Sequence, residues 1–245
     1  MDTEKNRTAK LFSAAKNNDL QTVKFFIEEQ NVPITITNKL RQNLAHVGAK
    51  HGNLEIVQYV ARKMPSLLPK TDKHDFTVLR RAVRAGAFDV VKYLIELHES
   101  DLVKGGDRDL TSSALHTAVE FGHLSIVKYL IEQRTLDVNT LGEWADQPLI
   151  FSAVKYRQQE IIDYLIEKKK VDLTLRDSRD DNILYVTVGT DDLPFMKYVL
   201  EEKKVALDID WRNKYGETLV FRAVALNRTN ILEYLVQERH ADVNI

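Results

Sequence analysis

The sequence predicts an all-α solenoid of about seven stacked helix–turn–helix repeats with short turns on one side. Three observations carry that expectation. An aromatic residue recurs as Phe25, Tyr59, Tyr93, Tyr129, Tyr164, Tyr198 and Tyr234, at spacings of 34, 34, 36, 35, 34 and 36. Self-similarity at a period of that size is the signature of a stacked array. Around the aromatic, the segment Ile126–Glu132 (IVKYLIE) nearly repeats Val90–Glu96 (VVKYLIE), with weaker copies at 161–167 and 231–236. Each copy also carries two short apolar patterns at helical spacing.

The fourth copy shows both patterns. Its first helix places Ala114, Leu115, Ala118 and Val119 on one face, and its second places Leu124, Ile126, Val127, Leu130 and Ile131. Between them stands Gly122, with Gly86 and Gly52 at the same place in earlier copies, where a helix ends and the chain turns. A small residue centres the first helix as Ala14, Ala82, Ala118, Ala153 and Ala223, which lets helices of neighbouring copies approach closely. One copy alone cannot bury both stripes, but a stack can. The copies read as 1–37, 38–71, 72–107, 108–142, 143–176, 177–212 and 213–245, a single repeat domain over 1–245. The last helix keeps Ile231, Leu232, Leu235 and Val236, and the chain stops where another copy would begin, so a fragment or a missing terminal cap is expected.

These residues resemble the ankyrin-repeat family. Ser113–Leu124 (SALHTAVEFGHL) is similar to the family's T-P-L-H-x-A-A-x-x-G-H-x, and Leu136–Asn139 resembles its closing A-D-V-N. The last copy has Gly216-Glu217-Thr218-Leu219 at its turn and Ala241-Asp242-Val243-Asn244 at its end. The resemblance covers essentially the whole chain. It implies a hairpin-like turn and two antiparallel helices per copy in a curved stack. The family's His position holds Phe12, His46, Arg80, His116, Phe151, Tyr185 and Phe221, and the four aromatics there predict apolar packing in place of the usual imidazole hydrogen bond. The sixth copy departs furthest, with Thr187 at the small-residue position and Asp191-Asp192 at the Gly position.

Composition narrows the function classes. Lys plus Arg is 35 against 36 Asp plus Glu, a formal net charge of -1, which argues against a globally basic nucleic-acid binder. There is no Cys, so disulfides, Cys-ligated metals and a Cys nucleophile are excluded together, and a reducing, cytoplasmic compartment fits. No run approaches the roughly 18 apolar residues of a membrane span. Residues Met1–Arg7 are polar with no apolar stretch behind them. Residues 1–100 carry 16 basic and 11 acidic side chains and residues 101–245 carry 19 and 25, a gradient that either orients a charged partner or is drift on a solvated surface.

No motif carries chemistry. The seven His show no H-x-x-x-H or H-E-x-x-H spacing, so no metal site is expected. S-x-x-K occurs at Ser13 and Ser152 without its catalytic partners, and both fall at one repeat position. The acidic turn Asp177–Asp181 lacks the Gly and Glu of a calcium loop and reads as a solvated turn. No cofactor is implied, and no enzymatic activity.

What remains is surface. In this family the turn tips and the ends of the first helices line the concave side, where partners sit. Carried onto this sequence, that implies a partner-binding set of Lys73, Phe76, Arg84, Phe121, Trp144, Tyr156, Arg179 and Tyr215. Phe76, Phe121, Trp144 and Tyr156 are read as a stripe at equivalent repeat positions, with Trp144 as the strongest anchor. The expected partner is a protein, as a helix or an extended peptide with an acidic end to meet Lys73 and Arg84. No small-molecule substrate is expected. The other class left open is a recruiting arm of a larger enzyme, or of a secreted bacterial effector, whose catalytic domain lies outside this chain. A nucleic-acid contact through the basic N-terminal copies is the weakest option.

Overall fold

The computed structural model describes residues 4–99, 110–133, 136–139, 141 and 146–244. Fourteen α-helices lie among them, alternating a first and a second helix of each copy. The first helices are α1 (Glu4–Lys16), α3 (Leu44–Lys50), α5 (Val78–Arg84), α7 (Leu110–Glu120), α9 (Leu149–Lys155), α11 (Ile183–Thr190) and α13 (Leu219–Ala225). The second helices are α2 (Leu20–Lys24), α4 (Leu54–Lys63), α6 (Phe88–Glu99), α8 (Leu124–Gln133), α10 (Gln159–Asp163), α12 (Leu193–Lys197) and α14 (Thr229–Glu233). No strand occurs among the described residues, and one isolated antiparallel bridge joins Leu141 to Pro148. The chain divides into two units, residues 1–130 and 131–245. In the first, α1, α3, α5 and α7 pack in succession; in the second, α9, α11 and α13 do.

The same local chemistry builds four of the turns. Asn38, Asp72, Asp177 and Asn213 open their turns. Each side-chain Oδ1 accepts the N–H groups two and four residues on: Leu40 and Gln42, His74 and Phe76, Arg179 and Asp181, Tyr215 and Glu217. The fourth turn residue is left-handed, as Arg41, Asp75, Asp180 and Gly216. Next comes the N-cap of the first helix: Asn43, Thr77, Asn182 and Thr218 each accept a backbone N–H of the first turn. Between the two helices a second left-handed residue recurs in every copy, as Asn18, Gly52, Gly86, Gly122, Arg157, Asp191 and Asn227. The sixth copy, with Asp191 at φ 56°, therefore makes the same turn without Gly.

Neighbouring copies are tied at three levels. The predicted apolar faces are the core: Ala114, Leu115, Ala118 and Val119 are buried, as are Ile126, Val127 and Leu130. On the second helices the recurrent Tyr donates its hydroxyl to a Glu of the copy before, at 2.8–3.1 Å: Tyr59 to Glu28, Tyr164 to Glu132, Tyr198 to Glu167, and Tyr234 to Glu201. This explains why the period marker is Tyr more often than Phe. Along the turns, the backbone N–H groups of Lys73, Ser178 and Lys214 donate to Leu40, Asp146 and Arg179 of the preceding turn.

One expectation for the aromatic positions is corrected. Tyr185 does not merely pack. Its hydroxyl lies 2.7 Å from the Glu217 carbonyl and 2.7 Å from the Trp211 carbonyl. That is the bond His46 makes in the second copy, where Nε2 lies 3.0 Å from the Phe76 carbonyl. Phenol and imidazole thus reach the same repeat-equivalent carbonyl of the next turn. Phe151, fully buried with no polar atom, packs as expected.

Candidate functional site

The sequence-predicted residues fall in both units. Unit 1 holds Lys73, Phe76, Arg84 and Phe121, and it brings three of them into direct contact. Phe76 closes its turn, so its N–H is held by Asp72 and its carbonyl by His46. Thr77 then starts α5, and the run Arg80-Arg81-Ala82-Val83-Arg84 places three guanidiniums around the fixed ring. Their central carbons lie 4.5, 4.7 and 5.4 Å from the Phe76 centroid for Arg80, Arg81 and Arg84. The Arg84 guanidinium also lies 4.8 Å from the Phe121 centroid, at the end of α7.

This cluster is supported from beneath. Arg81 donates to Asp72 through Nε at 2.6 Å, and Gln42 donates to the same oxygen at 3.2 Å. The Asp72 side chain is fully buried. Burial raises its pKa, but donors from His74, Arg81, Gln42 and Phe76 outweigh that, so it stays below the ordinary carboxylate range. Burial holds the His46 imidazole below its ordinary value. From the next copy, His123 places Nε2 3.1 Å from the Arg84 carbonyl. Gly86, at φ +69°, makes room for that ring: a Cβ there would stand 2.7 Å from it. Lys73 lies exposed in the same turn as Phe76.

Unit 2 holds Tyr156, Arg179 and Tyr215. Tyr156 caps the end of α9 and is 41% exposed, and Tyr215 tips its turn at 67%. Arg179 is engaged within its own turn, 3.2 Å from Asp181 and 3.9 Å from Asp177. That turn is not simply solvated, contrary to the sequence reading. The Asp181 carboxylate is buried against Arg222 at 3.1 Å and Asn213 at 2.8 Å, and its burial pushes its pKa up. Trp144 lies outside the described residues.

The equivalence of the four aromatics needs correction. Phe121 and Tyr156 each stand eight residues before their copy's recurrent Tyr and are true equivalents. Phe76 stands 17 before Tyr93, whereas Trp144 stands 20 before Tyr164. Sequence reasoning also passed over Arg80 and Arg81 as site residues. Their signal was the R-R-x-x-R spacing, which sets Arg80 and Arg84 on one helix face.

Among the described residues no cluster of three or more His, Asp or Glu is gathered as metal ligands would be, and no helix is long and apolar enough to cross a membrane. The model for ankyrin repeats (3 copies) matches residues 11–106, 99–177 and 150–245. Among solved structures, the crystal structure of the human ASB11 ankyrin repeat domain is similar, with a TM-score of 0.65 and 17% identity over 89% of this chain and 96% of that one. At that identity the likeness is one of fold. No curated protein matches the sequence.

Proposed function

This chain belongs to the ankyrin-repeat family, and we propose that it binds a protein partner through its turn and first-helix surface. Ankyrin repeats are generally protein–protein interaction modules, and the fold is typically a non-enzymatic scaffold. The observation that carries the reading for this chain is the cluster of Phe76, Arg84 and Phe121. It joins two successive copies and combines phenylalanine and arginine, residue types enriched at interface cores. Lys73 stands beside it and favours an acidic stretch of partner. Tyr156 and Tyr215 are exposed aromatics at the corresponding surface of unit 2, and Trp144 is proposed with them from its sequence position. We assign no catalysis. Ser152 of the S-x-x-K match is buried with its hydroxyl 2.8 Å from the Gln147 amide nitrogen, which suits a structural residue.

The test compares two variants of the full chain as bait in quantitative capture from lysate. One carries Arg84→Ala with Phe121→Ala. The other carries Lys92→Ala with Glu96→Ala on the exposed side of α6. Specific partners should be lost from the first bait and kept by the second, with both folded by circular dichroism. Retention by the first bait, or loss from the second alone, rejects the proposed surface.

A further inference from the structure

Arg84 is exposed, yet it is held on three sides. Its guanidinium lies near the rings of Phe76 and Phe121, and its carbonyl is fixed by His123. Arg80 lies 4.5 Å from the same Phe76 ring and four residues away on the same helix face. Among the described residues no carboxylate forms an ion pair with either guanidinium, and Asp72, the buried acid of the cluster, is taken by Arg81 and Gln42. The result is two like charges gathered over one phenyl ring. The ring faces offset part of their repulsion but supply no oxygen to accept the N–H groups.

Resting on the reading of this surface as a protein-binding one, we propose that Arg80 and Arg84 receive the phosphoryl group of a phosphorylated side chain on an extended partner segment. Charge complementarity selects that occupant. Two unpaired guanidiniums over one ring match a single group carrying about −1.5 to −2 charge, where one carboxylate would leave an arginine uncompensated. Geometry agrees with it. A guanidinium flanked by rings has its position restricted and its planar fork of donors left for oxygen, the arrangement that suits bidentate recognition. Phe76 and Phe121 then give the flanking peptide an apolar floor on either side of Arg84.

The probe is the peptide Ac-Ala-Ala-pSer-Ala-Ala-NH2, with its Glu and Ser counterparts, titrated into the full chain while the arginine Nε–Hε resonances are followed by NMR. The phosphopeptide should give saturable shifts at Arg80 and Arg84. Its affinity should exceed that of the Glu peptide by about tenfold or more, and the Ser peptide should give none. Arg84→Gln should weaken the phosphopeptide by about tenfold, and Arg84→Lys should restore only part of the loss, because the charge returns without the fork. Equal affinity for the Glu peptide, an unchanged Kd in Arg84→Gln, or shifts confined to other arginines would overturn the proposal. So would binding to phosphatidylserine vesicles with no response to the phosphopeptide. If the phosphopeptide fails while Arg84→Ala with Phe121→Ala still abolishes partner capture, the phosphoryl assignment falls and the protein-binding surface stands.

Discussion

Removing one oxygen atom tests the aromatic substitute for the family's histidine. Tyr185 is fully buried, and its hydroxyl serves the carbonyls of Trp211 and Glu217, each at 2.7 Å. Burial pushes its pKa up to about 12, so the proton it donates is present throughout the stable pH range. Tyr185→Phe keeps the ring and its packing and takes the hydroxyl donor from the Trp211 carbonyl, while the Glu217 carbonyl keeps the Asn213 N–H at 3.0 Å. A buried group left unsatisfied costs about 1–3 kcal/mol, and with one carbonyl left so the expected loss is about 2 kcal/mol. That is a factor of roughly 30 in the folding equilibrium and about 4–8 °C in melting temperature for a chain of this size. Repeat arrays need not unfold as one unit, so the readout should be local. Hydrogen exchange of residues 183–217 and Trp211 fluorescence in urea both report on the contact. Tyr215→Phe, at a side chain 67% exposed, is the control and should change stability by less than about 0.5 kcal/mol. A Tyr185→Phe loss no larger than the control's would show that ring packing alone holds this position.

Other expectations follow from single positions. Stability should fall on mild acidification because of His46: its folded pKa lies below its unfolded value, so the unfolded state takes up the proton first as pH drops through about 6.5. Between pH 7.5 and 5.5 the loss should reach at most about 1.4 kcal/mol, and a His46→Gln chain titrated with urea should lack that slope. Lys170 is exposed and left-handed at φ 54°, so Lys170→Gly should raise stability by about 0.5–1 kcal/mol, measured by thermal melting. Asn182 caps α11 with its Oδ1 but leaves its buried amide Nδ2 without a partner among the described residues, so Asn182→Thr, the residue used at Thr77 and Thr218, should gain about 1 kcal/mol in urea unfolding. Val188→Ala should cost about 2–3 kcal/mol at a fully buried side chain, while Val224→Ala at the equivalent position, 60% exposed, should stay within about 0.5 kcal/mol by the same assay.

Much of the fold is legible in the sequence because backbone geometry and apolar burial repeat with the period. The left-handed residue between the helices stands seven positions before each recurrent aromatic, even where the residue is Asp191 or Arg157 and no Gly advertises it. The cross-copy bonds were not legible, because each needs two residues about 31–33 apart to be read together. Tyr59 and Glu28 look unremarkable singly, and only the stack makes them neighbours. The solvated reading of Asp177–Asp181 failed for the same reason. Asp181 is buried by Asn213 and Arg222 of the following copy, which no local motif reveals.

The site was partly legible, and the reason lies in one turn position. At the last residue of the turn, Gln42 reaches Asp72 of the next copy and Asp181 reaches Asn213 of the next copy. Each spends its side chain on locking two copies together. The third copy has Phe76 there, which has no polar atom for that lock, and its ring collects guanidiniums instead. Its backbone still ties the third copy to the second, through the His46 contact to the Phe76 carbonyl. Fold and surface chemistry are therefore separable at this position. Phe76→Gln should leave the array folded, since its carbonyl contact is independent of the side chain, yet it removes the shared ring beneath Arg80 and Arg84. Partner capture should fall while the melting temperature moves by no more than a few degrees. A chain that unfolds on that change, or one that binds undiminished, would show that the ring serves the stack and not the surface.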